Sequence, residues 1–244
     1  MWNAIMWGGI AGSASLLGAL AIMYFPIKKR IIGFIMALGT GALIGATTYE
    51  LLGGAVEQAG LEEAAIGFLG GALVFTIFDY LISKYGGHKR KDSSGTSDNE
   101  KQGSGLAIFI GTIMDAIPES AMIGVSLIGG HSIGISLVVA IFISNFPEGL
   151  SSTVGLKNDG YSKTKILLMW GAVILFSSLS SLAGFVFLGD ASNSIKAIIS
   201  AFAGGGIIAM VASTMMPEAF KEGGPAVGFI TAAGIFITLL LSHL

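Results

Sequence analysis

The sequence predicts an all-α integral membrane protein whose 244 residues cross the bilayer eight times. Three observations carry this. Hydrophobic residues make up 53% of the chain and charged residues 11%, where soluble domains carry about 25% charged residues, and mean hydropathy is +0.80. The chain divides into apolar runs, each close to the roughly 20 residues that a helix needs to span hydrocarbon. The basic residues, finally, fall in alternate connections between those runs.

The runs lie near residues 3–25, 31–54, 64–84, 105–128, 132–155, 164–188, 194–216 and 225–243. The first lacks a basic n-region and exceeds the length of a signal-peptide h-region, so it is read as a helix. Runs such as "LLGALAIMYF" do not alternate apolar and polar residues, which argues against the strands of a membrane barrel. Gly8 with Gly12, Gly41 with Gly45 and Gly67 with Gly71 repeat the small-xxx-small spacing that lets membrane helices cross closely. Residues 86–104 are Gly/Ser-rich and mixed in charge, which predicts a flexible loop between helices three and four within a single transmembrane domain, 1–244. A short turn near Gly129 and Gly130 makes helices four and five antiparallel neighbours. "ALGTGALIGATTYELL" in helix two is weakly echoed by "AFAGGGIIAMVASTMM" in helix seven.

Twelve of the thirteen Lys and Arg residues sit at the first, third, fifth and seventh connections, and only Lys196 lies elsewhere. Basic residues concentrate on the cytoplasmic side, so both termini are expected outside the cytoplasm, in a multi-pass protein of the cell (inner) membrane. The absence of Cys removes disulfides and thiolate metal sites. The net charge of -2 gives no sign of a nucleic-acid partner.

The apolar runs contain Glu50, Asp79, Asp115, Glu119, Glu148 and Glu218. A carboxylate at the centre of a spanning helix costs at least about 2.5–3.5 kcal/mol and usually marks an ion or substrate path. Asp115 and Glu119 are i, i+4 and share a helix face, as do Ser144 and Glu148, with Asn145 three residues before Glu148. Both sets lie about 20 Å from the 129–130 turn at 1.5 Å per residue, so two facing helices converge Asp115, Glu119, Ser144, Asn145 and Glu148 at one depth. Like charges there repel unless a cation sits between them. Pro118 and Pro147 cannot donate to the carbonyls of Met114 and Ile143, which predicts kinks and two freed oxygens at that depth. Glu50, near the outer end of helix two, is either a gate or extra ligand or an acid that reaches water. Glu218, near the inner end of helix seven, is either an exit or bridging ligand or a solvated acid beside Lys221. Asp79 is read as structural, pairing with Lys84. His88, His131 and His243 are read as solvated.

Eight helices, outside termini, a cytoplasmic loop after helix three and proline-containing motifs in helices four and five resemble the ZIP (Zrt/Irt-like) divalent metal transporters. "DAIPES" places Asp115, Ala116 and Glu119 where that family carries His, Asn and Glu, and "SNFPEG" gives Ser144, Asn145, Pro147 and Glu148. "GTGALIGATTYELL" and "MMPEAF" also resemble members. The resemblance covers nearly the whole chain. It implies a ZIP-like bundle with kinked helices four and five, a homodimer and elevator-like alternating access. It also implies import of a divalent transition metal into the cytoplasm, Zn²⁺ foremost, with Mn²⁺, Fe²⁺ and Cd²⁺ as further substrates. The metal is substrate, no permanent cofactor is implied, and the protein is not an enzyme. The metal set is Asp115, Glu119, Asn145 and Glu148, with Ser144, Glu50 and Glu218 in secondary places. The departures are the two motif histidines, replaced by Asp115 and Ser144, the motif asparagine, replaced by Ala116, and a helix-six carboxylate, where only Ser177, Ser178, Ser180 and Ser181 occur. They imply one strong site and a ligand set that leans toward harder ions. Two other functions remain open from the residues alone: a proton-coupled carrier of a small organic solute, and an intramembrane aspartyl protease using Asp79 and Asp115, which lie at different depths.

Because the chain lacks Cys, one introduced cysteine is a unique label. Thr96→Cys is expected to react with a membrane-impermeant maleimide only in inside-out vesicles, and Ser132→Cys only in right-side-out vesicles.

Overall fold

The computed structural model describes residues 1–84, 104–128 and 135–243, apart from the side chains of 82–84, 104–110 and 115. The expected loop, with His88, and the 129–134 connection, with His131, lie outside the described residues. Eight helical rods follow in order: α1 Trp2–Tyr24, α2 Lys29–Ala59, α3 Leu61–Lys84, α4 Ser104–Ser126, α5 Ile135–Asn158, α6 Lys163–Phe187, α7 Asn193–Gly223 and α8 Ala226–Leu241. Among the described residues six are long and apolar enough to cross a membrane, and α8 is a shorter apolar helix. The molecule is an all-α membrane protein.

Two rods outrun their expected ends. α2 continues past residue 54 and α7 past 216, because each absorbs a π-helical segment, Thr47–Gly53 and Val211–Met215, and then resumes as α-helix. In α7 the π segment lies just ahead of Pro217, which has no N–H for the carbonyl of Ser213. α2 has no proline there; its π segment contains Glu50. α4 and α5 run as uninterrupted α-helix through Pro118 and Pro147.

Residue contacts fix the sense of every rod. Gly67 lies against Ile198 and Gly71 against Phe202, so α3 and α7 are parallel. Gly41 against Thr231 and Gly45 against Thr238 make α2 and α8 parallel. Asn145 meets Ala11 and Gly149 meets Ser15, aligning α5 with α1, while Ser180 meets Ile117 and Gly184 meets Ala121, aligning α6 with α4. Gly8 faces Ser181 and Gly12 faces Ser177, so α1 and α6 are antiparallel; Thr47 against Gly204 and Leu51 against Ser200 give the same for α2 and α7, and Gly39 against Ser144 with Glu50 against Leu137 for α2 and α5. Odd rods therefore point one way and even rods the other, as successive crossings require.

The packing separates two groups. α1, α4, α5 and α6 pack on one another, as do α2, α3, α7 and α8, and α2 against α5 is the principal seam between them. The second group is an inverted repeat. α2 and α7 each have 31 residues, and their starts, π segments and terminating glycines are offset by one value, 164 (193 − 29, 211 − 47, 224 − 60). Gly60 and Gly224 end the rods at φ 99° and 70°, a conformation costly for any residue with a Cβ. Gly41 and Gly234 close the α2–α8 crossing as Gly205 and Gly71 close the α7–α3 crossing. The faint sequence echo is thus a structural duplication.

These crossings leave no room for a methyl group. A Cβ on Gly205 would lie 2.9 Å from Ala72 N and 2.7 Å from the Phe68 carbonyl carbon, whereas one on Gly171 meets nothing within 4 Å. Gly205→Val is expected to destabilise the protein by about 1–3 kcal/mol or more and Gly171→Ala to be neutral, as read from thermal unfolding in detergent.

Candidate metal site

Glu119 on α4 and Ser144, Asn145 and Glu148 on α5 are all buried, the two carboxylates at 1% and 3% exposure. Two apolar clusters bracket them along the helices. On one side Ala116 packs in a cluster with Ala19, Leu156 and Trp170; on the other Met122 and Ile123 pack in a cluster with Leu137 and Ile141. Between these layers α4 and α5, antiparallel, hold Glu119 level with the Asn145–Glu148 turn. Ala116, at the position where the resemblance places the family's asparagine, belongs to the apolar layer. Asp115 occupies the turn before Glu119; its side chain lies outside the described residues. Among the described residues no three acidic, imidazole or thiol groups form a metal-holding cluster. The described set is two carboxylates, an amide and a hydroxyl.

α5 is held on two sides. Toward α1, Gly149 faces Ser15, Gly18 faces the Phe146 carbonyl, and Asn145 Nδ2 donates to Ala11 O at 3.5 Å. Toward α2, a Cβ on Gly39 would lie 2.8 Å from Ser144 Cα and 3.0 Å from the Ile143 carbonyl oxygen. That carbonyl is the one Pro147 leaves without its helical N–H, so glycine at position 39 admits it at the α2–α5 seam. Ser144 Oγ donates to Ile141 O at 2.9 Å, and Ser151 Oγ to Glu148 O at 3.3 Å. On α4, Ser180 Oγ donates to Ile117 O at 2.6 Å and ties the residue before Pro118 to α6.

The outer candidates stand apart. The Glu50 carboxylate accepts a hydrogen bond from the Leu137 backbone N–H in the first turn of α5. Leu137 precedes Glu148 by eleven residues, about 16 Å along the helix, so Glu50 is not at the level of the other carboxylates. Glu218 is buried, with Lys221 Nζ 4.0 Å from its carboxylate. Its neighbour Ala219 packs in one cluster with Leu150, two residues beyond Glu148, which sets Glu218 near the opposite edge of the site. The Lys84 side chain, expected beside Asp79, lies outside the described residues. His243 is exposed, its Nδ1 2.8 Å from Leu239 O. Sequence reasoning missed the anchoring of Asn145 to α1, the Glu50 contact with α5 and both π segments; only the echo between helices two and seven pointed toward the last.

A larger residue at Gly149 would push α5 off α1 without removing a ligand. Gly149→Val is expected to lower divalent-metal affinity roughly 10–100-fold, the range seen when supporting contacts of a metal site are lost, by calorimetric titration of the purified protein.

No family model matches the chain. A curated protein of Arabidopsis thaliana described as "Putative zinc transporter" is 26% identical over 217 residues, which is 88% of this chain and 34% of that protein. The chain therefore spans about one third of the length of this relative. The similarity runs along nearly all of the helical bundle, and a helical membrane protein related to one described as a zinc transporter agrees with the ZIP resemblance of "DAIPES" and "SNFPEG".

Proposed function

We propose that the protein carries a divalent metal ion across the cell membrane to the cytoplasm, the side of its basic connections. The observation that supports this most is the burial of Glu119 and Glu148 at one level between apolar layers. Buried carboxylates of like charge are tolerable when a cation sits between them. Glu119, Glu148, Asn145 and Asp115 exchange for the hydration shell of the ion, with Ser144 beside them. The relative's description makes zinc a candidate cargo.

Release on the other side requires the site to change the face it opens to. The two groups of helices supply the parts: α1, α4, α5 and α6 carry the site, and α2, α3, α7 and α8 form the inverted repeat against which it slides, along the α2–α5 seam. Glu50 stands on the outer approach and Glu218, beside Lys221, on the inner one. A homodimer through the inverted-repeat group would hold that group still.

In proteoliposomes loaded with a metal-sensitive dye, Glu119→Ala and Glu148→Ala should each lower uptake about 10–100-fold, the loss of a charge-assisted ligand worth roughly 1.5–3 kcal/mol. Glu50→Ala and Glu218→Ala should slow uptake while the purified protein still binds metal. Unchanged uptake in both site variants would sink the proposal.

A further inference from the structure

We infer that this site is built from oxygen donors alone, that it takes harder divalent ions such as Mn²⁺ in preference to Zn²⁺ and Cd²⁺, and that Ser144 is the position that sets this choice. The inference rests on the metal-carrier reading above and goes further by naming the class of ion.

The donor inventory is the first support. The chain has no Cys and three His, at positions 88, 131 and 243, none of them in α4 or α5. The buried methionines Met36, Met122, Met210 and Met215 are committed to apolar clusters. Among the described residues no imidazole or thiolate lies at the level of Glu119 and Glu148.

Side-chain orientation is the second. With Asn145 Nδ2 donating to Ala11 O, the amide oxygen points away from α1. The flipped amide would set two oxygens against each other, so the orientation follows from hydrogen bonding. Ser144 gives its proton to Ile141 O, which leaves only oxygen lone pairs to be offered. With these protons committed, Asn145 keeps its amide oxygen and Ser144 its hydroxyl lone pairs as acceptors, the role a cation ligand requires.

The third support is coordination chemistry. Zinc sites favour four ligands with nitrogen or sulfur among them, whereas carboxylate and carbonyl oxygens in larger number suit Mn²⁺. Raw affinity at any one site still rises from Mn²⁺ toward Zn²⁺, so discrimination rests on ligand type and geometry, and an imidazole at position 144 would change both.

The test is competitive uptake by the full-length protein in proteoliposomes at equal free Mn²⁺, Zn²⁺ and Cd²⁺. Wild type is expected to take up Mn²⁺ fastest, with Cd²⁺ slowest. Ser144→His should shift the Cd²⁺:Mn²⁺ uptake ratio by about tenfold or more, since even supporting contacts change metal affinity roughly 10–100-fold. Wild-type Mn²⁺ uptake abolished by substoichiometric Zn²⁺, or an unchanged ratio in folded Ser144→His, overturns the inference while leaving the carrier reading intact. Because Ser144 is tightly packed, electron paramagnetic resonance of Mn²⁺ bound to purified wild type, with Zn²⁺ as competitor, gives a readout independent of that variant. Displacement of Mn²⁺ by equimolar Zn²⁺ overturns the inference there too. Absence of binding by any of the three metals removes the carrier reading and the inference with it.

Discussion

The constraint on which the structure depends is the burial of two carboxylates between apolar layers of a helical membrane protein. An ionised acid at the centre of a spanning helix costs at least about 2.5–3.5 kcal/mol, and Glu119 and Glu148 are both almost fully buried. Apolar layers close the site above and below, so neither acid reaches water along the helices. α4 and α5 run antiparallel and hold Glu119 level with the Asn145–Glu148 turn.

Holding that register is the work of glycine. In lipid, helices gain little from burying apolar surface against each other, and association depends on close packing and interhelical hydrogen bonds. Gly18 and Gly149 bring α1 onto α5, Gly39 brings α2 onto it, and Asn145 bonds the α1 backbone. The α1–α5 contact lies within one group of helices and includes the Asn145–Ala11 hydrogen bond. The α2–α5 contact lies between groups: Gly39 meets the Ile143 carbonyl, Glu50 bonds the Leu137 N–H, and Met36 and Leu43 share apolar clusters with Leu150 and Ile141.

Much of this was legible in the sequence. Eight rods, their alternation and the shared depth of the two motifs follow from apolar run length, basic-residue placement and counting at 1.5 Å per residue. These signals are local or additive, and a bilayer makes them strict. The π segments were not legible, because widening a turn by one residue leaves the apolar pattern almost unchanged. Glu50 shows the limit most clearly: its place near a helix end was readable, but its bond to Leu137 depends on how far α2 and α5 overlap, which no local pattern records. Prolines were a partial guide. Pro217 has a π segment just ahead of it, whereas Pro118 and Pro147 sit in continuous α-helix.

The duplication gives the seam its meaning. Two 31-residue rods with the same offset π segments, running oppositely, form a frame that is nearly the same viewed from either side of the membrane. The group that carries Glu119 and Glu148 docks on that frame along the α2–α5 seam. The symmetry is broken by the acids: Glu50 lies in the π segment of α2, whereas the matching position in α7 is Thr214, and Glu218 matches Gly54. The two carboxylates therefore stand at non-equivalent places in the repeat.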